Sequence, residues 1–276
     1  IIDWIYNINL KINTKFYFFV MRRKDAQMLN FMTKTIILIP SRLSASRLPN
    51  KPLLKINNKS IINHVYEKGY STNIGEVYVA TSDKEIFDEV LKNKGKCILT
   101  KKQHMTGTDR IFEAYEHIKR KDIDYIINLQ GDEPMIDIND IINLNNFAIE
   151  HSSEIATLAC KLERKNIDKQ NVVKVITNED IKKNKFSSAK NFFRIMEDKN
   201  YENTFHHIGI YIYKVSILEK FVSLKQSSNE LKFKLEQLRA LDNNIKIDVI
   251  FGNSIPIGVD TNEDYLEIKK LMEYKS

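Results

Sequence analysis

From Thr35 onward the apolar positions fall into a regular rhythm. Thr35–Ile39 is a continuous β-branched, apolar run, the pattern of a strand buried on both faces. Glu76–Ala80, Cys97–Leu99 and Tyr125–Leu129 repeat it. Between these runs the period changes to that of a helix. One helix is predicted from a Ser60 cap to Gly69. A second is capped by Asp83, carries Ile86, Phe87, Val90 and Leu91 on one face, and ends at Gly95; a third spans Thr108 to Lys119. Strand alternating with helix predicts an α/β fold with a mostly parallel, Rossmann-like sheet.

Beyond Asn139 the pattern loosens. Ile155–Leu162, Val172–Thr177, His207–Tyr213 and Ile245–Phe251 read as strands. Val215–Ser223 and Glu230–Leu241 read as helices, and Thr261 opens a last one with Glu263 and Asp264 in its first turn. Consecutive strands without full crossovers predict a small antiparallel extension, carried by an insertion at about 152–225 in a single domain over 33–276. Residues 1–32 read apart from this domain. Phe16–Val20 is apolar and is followed by Arg22-Arg23-Lys24, the reverse of the order in a secretory signal. We expect an N-terminal extension, either translated upstream sequence or a disordered tail, with Met21, Met28 and Met32 available as starts. An amphipathic membrane anchor is the alternative reading.

Composition narrows the class. No run approaches the roughly 18 apolar residues of a spanning helix, so no membrane partner is expected. The net charge of +7 comes partly from residues 1–32, and the excess elsewhere is too mild for a nucleic-acid-binding surface. It suits an anionic small substrate better. Two cysteines, Cys97 and Cys160, exclude a disulfide scaffold and fit a reducing cytoplasm.

Candidate chemistry gathers at predicted strand ends, where ligands of open α/β sheets sit. The loop Pro40–Leu53 carries Arg42, Arg47 and Lys51, a cradle for phosphates; as spacing alone it reads equally as a solvated basic stretch. It has no glycine, and Asn50 is its residue best able to take a positive φ. Gln130-Gly131-Asp132-Glu133-Pro134 puts two hard oxygen ligands suited to Mg²⁺ just past a buried strand, or forms an ordinary turn. Asp260, after Gly258-Val259, is a further candidate ligand or simply a helix N-cap.

Taken together, Pro40–Leu53, Gln130–Pro134 and Gly258-Val259-Asp260-Thr261 closely resemble the 3-deoxy-manno-octulosonate (KDO) cytidylyltransferase family. So do His104–Arg110, Asn171–Val175, His207–Tyr211 and Leu235–Arg239, in order from about Thr35 to Met272. The resemblance implies a nucleotidyltransferase-type sheet, a cytoplasmic homodimer, and Mg²⁺-dependent transfer of CMP from CTP to an acidic eight-carbon sugar for lipopolysaccharide synthesis. It implies a catalytic set of Lys51, Arg42 and Asp132, with Asp132 and Asp260 as metal ligands. Arg42, Arg47 and Lys51 would hold the triphosphate, and Thr106, Gly107, Thr108 and Arg110 would read base and ribose. Gln130, His207, Tyr211, Glu236 and Gln237 would line the sugar pocket.

Several of these residues also have plain structural readings. His207 and Tyr211 read equally as core residues of a strand, and Glu236 with Arg239 as a surface pair. The chain departs from the family in Phe186–Phe193, where Ser188 stands at the position read as the family's sugar-side arginine. That departure opens a second reading, a cytidylyltransferase for amino-KDO or a nonulosonate, with Lys190 or Arg194 as possible substitutes. A reading of another class is an inactive nucleotide-binding or interaction protein, which the presence of both Asp132 and Asp260 opposes.

Overall fold

The computed structural model describes residues 33–44, 47–101, 104–195, 201–253 and 258–274. The expectations for residues 1–32 lie outside the described residues.

Strand β1 (Thr35–Ser41) is flanked by β4 (Val77–Thr81) and β6 (Tyr125–Asn128), both parallel to it, and β5 (Cys97–Leu99) continues beyond β4. A short hairpin, β2 (Lys55–Ile56) and β3 (Lys59–Ser60), stands apart. The remaining strands are β7 (Ile155–Cys160), β8 (Lys174–Thr177), β9 (Phe186–Phe193), β10 (Thr204–Lys214) and β11 (Ile247–Phe251). Together they give a nine-stranded sheet in the order β5-β4-β1-β6-β10-β7-β11-β9-β8.

The sheet corrects the expectation of a parallel sheet with a small antiparallel extension. Strand β10 runs antiparallel in its middle, between β6 and β7. Strand β9 is antiparallel to β11, and β8 is antiparallel to both β9 and β10. A buried strand has the same apolar signature in either direction, so the pattern of the chain could not reveal this. The pairings β10–β7–β11–β9–β8–β10 close on themselves, and the 11-residue β10 makes this possible. Its first residues pair with β8 and its last with β6, with a register shift between Ile208 and Tyr211.

Helices cover both faces. On one side Ile36 and Leu38 of β1 pack with Ile111 and Ala114 of α3 (Gly107–Ile118) and with Leu218 and Phe221 of α6 (Val215–Ser223). On the other, Ile37 and Ile39 meet Ile62 and Val65 of α1 (Ile61–Ser71), Ile86 and Val90 of α2 (Lys84–Lys92), and Ile141 and Leu144 of α4 (Ile138–Glu150). Burying alternate β1 residues on opposite faces fixes its register, because a one-residue slip would exchange both sets. Truncating one of them, such as Leu38→Ala, would cost about 2–5 kcal/mol. Helix α5 is the single turn Ile181–Asn184, and α9 spans Asn262–Glu273. The helix expected over Glu230–Leu241 is two, α7 (Ser228–Phe233) and α8 (Gln237–Asp242), because Lys234 turns left-handed at φ 53° between them.

Candidate active site

The site begins with how β1 ends. After Ser41 the chain leaves the sheet, and the Leu43 amide donates to Asp83 Oδ2 at 2.7 Å, which ties the basic loop to the start of α2. Asp83 holds the N-cap position of α2, yet its side chain makes no cap bond there. Further on, Asn50 adopts φ 55°, ψ 19°, the left-handed conformation that asparagine tolerates best among non-glycine residues. That turn delivers Lys51, whose Nζ lies 2.7 Å from Asp132 Oδ2 and 3.3 Å from Asp260 Oδ1. Arg47 Nη2 reaches the other oxygen of Asp260 at 3.2 Å.

Two local features bring these carboxylates together. A Cβ at Gly131 would meet the Pro40 carbonyl oxygen at 2.9 Å, so only glycine lets the β6 turn close on the end of β1. The Val259 amide then donates to the Asp132 carbonyl at 2.9 Å and clips the second acidic loop to the first. Asp260 is not the helix cap. Thr261 caps α9 in a capping box with Asp264, which leaves the Asp260 carboxylate turned to the cleft cations. Burial works against the Lys51 ammonium, but Asp132 and Asp260 outweigh it and raise its pKa above the ordinary lysine value.

A cavity of about 390 Å³ opens over this cluster, lined by Arg42, Arg47, Lys51, Asp132 and Asp260 together with Gln130. Thr106, Gly107 and Arg110 form its other wall, at the N-terminus of α3, whose positive dipole end favours an anion. The Thr106 hydroxyl is spent on a capping box with Asp109. Arg110 is buried, and its guanidinium donates to Thr100 Oγ1 at 2.6 Å and braces the loop below the cavity. Thr108 lies beneath the wall and does not line it. His104, to which we assigned nothing from the sequence, lines the cavity and is paired with Glu113.

A second cavity of about 480 Å³ adjoins the first and shares Asp132 and Asp260 with it. His206, His207 and Gly209 of β10 line it, with Asn171 from the loop before β8. The Thr157 hydroxyl has one proton and gives it to a β10 carbonyl, Ile210 O at 2.7 Å. His207 Nε2, 3.0 Å from that hydroxyl, must therefore be the donor of its own bond. Burial, aided by His206, pushes the His207 pKa down to about 3, so the ring is neutral.

The other expected sugar residues are joined by a relay. Gln130 Nε2 donates to Asn128 Oδ1, Asn128 Nδ2 to Thr108 Oγ1, and Thr108 Oγ1 to Glu236 Oε2. The hydroxyl of Tyr211 and the second oxygen of Glu236 are buried without a hydrogen-bond partner, although Arg239 Nη2 lies 3.8 Å from that oxygen. Burial raises the Glu236 carboxyl to about 7 against the pull of its threonine neighbours. Gln237, half-buried at the start of α8, lines neither cavity.

Ser188 is not in the site. Its hydroxyl accepts from Asn178 Nδ2 at 2.7 Å and it faces Asp248 across the β9–β11 pair, far along β9 from the cleft. Arg194, just past the other end of that strand, lines neither cavity, but its Nη1 donates to Gln170 O at 3.1 Å, in the loop whose Lys169 and Asn171 line the second. Burial and then the charge of Arg47 lower its pKa, while Asp260 partly offsets them.

All the site residues described above except Gly258, Val259, Asp260, Thr261 and Asp264 lie inside the span of a family model described as cytidylyltransferase, which matches residues 36–247. The 3-deoxy-manno-octulosonate cytidylyltransferase of Bartonella henselae is 40% identical over 239 residues, covering 86% of this chain and 98% of its own. That of Rickettsia canadensis is 36% identical over 238 residues, 86% of this chain and 95% of its own. The chain belongs to the 3-deoxy-manno-octulosonate cytidylyltransferase family. A solved structure of CMP:2-keto-3-deoxy-manno-octonic acid synthetase complexed with CTP superposes with a TM-score of 0.80 at 33% identity, over 88% of this chain and all of that one. A UDP-glucose pyrophosphorylase, at 13% identity and TM-score 0.64, shares the fold.

In this cytidylyltransferase the donor set fits a magnesium ion. Asp132 and Asp260 both contact the single ammonium of Lys51, so their oxygens can reach one cation together. Among the described residues no third acidic, histidine or cysteine side chain joins them in a ligand group. Two carboxylates, completed by water and phosphate oxygens, is the usual protein contribution for Mg²⁺. Beside them, burial, then the charges of Asp132 and Asp260, push the Glu133 carboxyl up to about 8, and its Oε2 has no hydrogen-bond partner.

Proposed function

We propose that this cytidylyltransferase transfers CMP from CTP to the anomeric hydroxyl of 3-deoxy-D-manno-octulosonate, releasing pyrophosphate, and so supplies lipopolysaccharide synthesis. The observation that carries the reading is the pair of adjoining cavities that share Asp132 and Asp260. One is lined by Arg42, Arg47 and Lys51 and suits a triphosphate; the other, lined by His206, His207 and Asn171 with several carboxylates and Lys165 and Lys169, suits a polyhydroxylated sugar. The two carboxylates stand where the two substrates would meet.

Arg42, Arg47 and Lys51 hold the phosphates, and Lys51 neutralises the departing pyrophosphate as a point charge. The amides at the start of α3 add fixed dipoles facing the same anion. Gln130, at the join of the cavities, is held by Asn128 and can orient the sugar. Tyr211 and Glu236 offer unpartnered polar atoms that ligand hydroxyls would satisfy. Arg194 provides the cation for the sugar carboxylate, as a planar fork suited to that geometry. Magnesium bound by Asp132 and Asp260 would neutralise charge on the α-phosphate and lower the barrier to its attack. Catalysis is then mainly alignment and charge balance. A cytoplasmic homodimer belongs to the same reading, supported by the family and by two free thiols, Cys97 and Cys160. In this reading Arg194 substitutes for the cation that Ser188 does not supply.

The test is pyrophosphate release with Mg²⁺ across four nucleotides and a panel of sugar acids. CTP with KDO should be the productive pair. Release with another acidic sugar but not with KDO would overturn the assignment.

A further inference from the structure

Lys174 has no place in the chemistry above, yet its side chain is fully buried, with none of its surface exposed. Burying an ammonium is costly unless its protons find acceptors. Here Nζ donates to two backbone carbonyls, Lys169 O and Arg194 O, each at 2.7 Å. One carbonyl belongs to the loop that lines the second cavity and the other to the end of β9. Lys169 lies in the loop running from Glu163 to Val173, much of which lines the cavity. Arg194 follows β9, whose Phe193 is the register partner of Lys174. The Arg194 side chain closes the circuit, since its Nη1 donates to Gln170 O at 3.1 Å, one residue beyond the carbonyl that Lys174 holds.

We propose that Lys174 is a positioning residue for the acidic-sugar side of the cleft: its buried ammonium clamps the 163–173 loop to the end of β9 and thereby aims the Arg194 guanidinium. This rests on the reading of Arg194 as the sugar-carboxylate contact. Arg42, Arg47 and Lys51 hang on the β1 loop, and the side-chain bonds that hold Arg47 and Lys51 go to Asp132 and Asp260 rather than to the clamp. A loss of aim therefore affects one substrate and spares the other. General loss of stability would not sort in that way.

The experiment compares KM for KDO and for CTP in the full-length chain. Lys174→Met, close in length but without donors, should raise KM for the sugar by about 10-fold while KM for CTP stays within about 2-fold. In an Arg194→Ala background the same substitution should add less than about 2-fold, because the group it positions is gone. Lys174→Cys alkylated to carry an aminoethyl group should restore the sugar KM. If Lys174→Met does not fold, Lys174→Gln, which keeps two N–H donors on a shorter, uncharged side chain, should give a smaller rise of about 3-fold in the same parameter only. Equal effects on both substrates, no effect on either, or full multiplication with Arg194→Ala would overturn the proposal. If the unmodified protein does not use KDO, the substrate assignment fails separately, and the same comparison is read on the sugar acid it does use.

Discussion

Around the first cavity the chain sets full charges on an exposed loop: Arg42 and Arg47 stand in solvent, and Lys51 is balanced by two aspartates. Behind the second, it buries polar groups that are mostly uncharged. His207 is neutral, the Tyr211 hydroxyl and one Glu236 oxygen lack hydrogen-bond partners, and the cations at this cavity are Lys165 and Lys169 of the loop before β8. The difference matches what each side must distinguish. A triphosphate is recognised by charge, which acts over distance and tolerates mobile side chains. A sugar is recognised by the direction of its hydroxyls, which needs fixed groups whose bonds are incomplete until it arrives. The first half can be read from residue type alone. The second depends on the closed ring of strands that holds its groups still.

The comparison is broken most severely at the residues both halves share. Asp132→Asn or Asp260→Asn should lower turnover by on the order of 100-fold, because the cation between the substrates is misplaced. Circular dichroism should remain native, since both side chains are partly exposed at loop ends. Near-normal pyrophosphate release by either variant would refute the shared role. A crossed pair of substitutions comes next. Arg194→Ala should raise KM for the sugar about 10-fold and leave CTP unchanged, while Arg42→Ala should do the reverse, each losing one charge-assisted contact.

A smaller effect concerns acidity. The Glu236 pKa, raised by burial to about 7 in the folded protein, returns to the ordinary carboxylate value on unfolding. The folded state therefore binds more protons, and this contribution to stability is fully present below about pH 4.5 and lost as pH rises through about 7. Denaturant melts of the ligand-free protein should lose on the order of 2 kcal/mol across that window, and Glu236→Gln should abolish the loss. A pH-independent difference between the two proteins would contradict it. The smallest effect is at Ser188. Ser188→Arg should change neither KM, because the side chain lies away from both cavities.

How far the chain discloses itself follows the same division. β1, β4 and β6 are continuous β-branched runs, and no competing pattern obscures them. Arg42, Arg47, Lys51, Asp132 and Asp260 follow strand ends, and the structure gathers all five at one cavity. Strand β9 went unread because Ser187, Ser188, Lys190 and Asn191 break its apolar signature, and with it went the position of Arg194. Helix α4 was hidden by its asparagines, although Ile141, Leu144 and Ala148 lie at helical spacing on its buried face. The placement of β10 depends on pairing direction, which side-chain alternation does not encode. Lys174 sits in a strand of ordinary appearance, and only its two carbonyl partners show why a lysine is there.

The pairing of β8 with both β9 and β10 also bears on how this protein meets its neighbours in a crowded solution. A sheet normally has two open rims on which a stray strand can add. Here one rim is consumed by closure, and among the described residues the main sheet exposes only β5, three residues long. So short a template offers few backbone groups to another chain. Fibrillar misassembly of the native protein should therefore need β8 to peel away first, which makes the β8–β10 seam its weak point for aggregation.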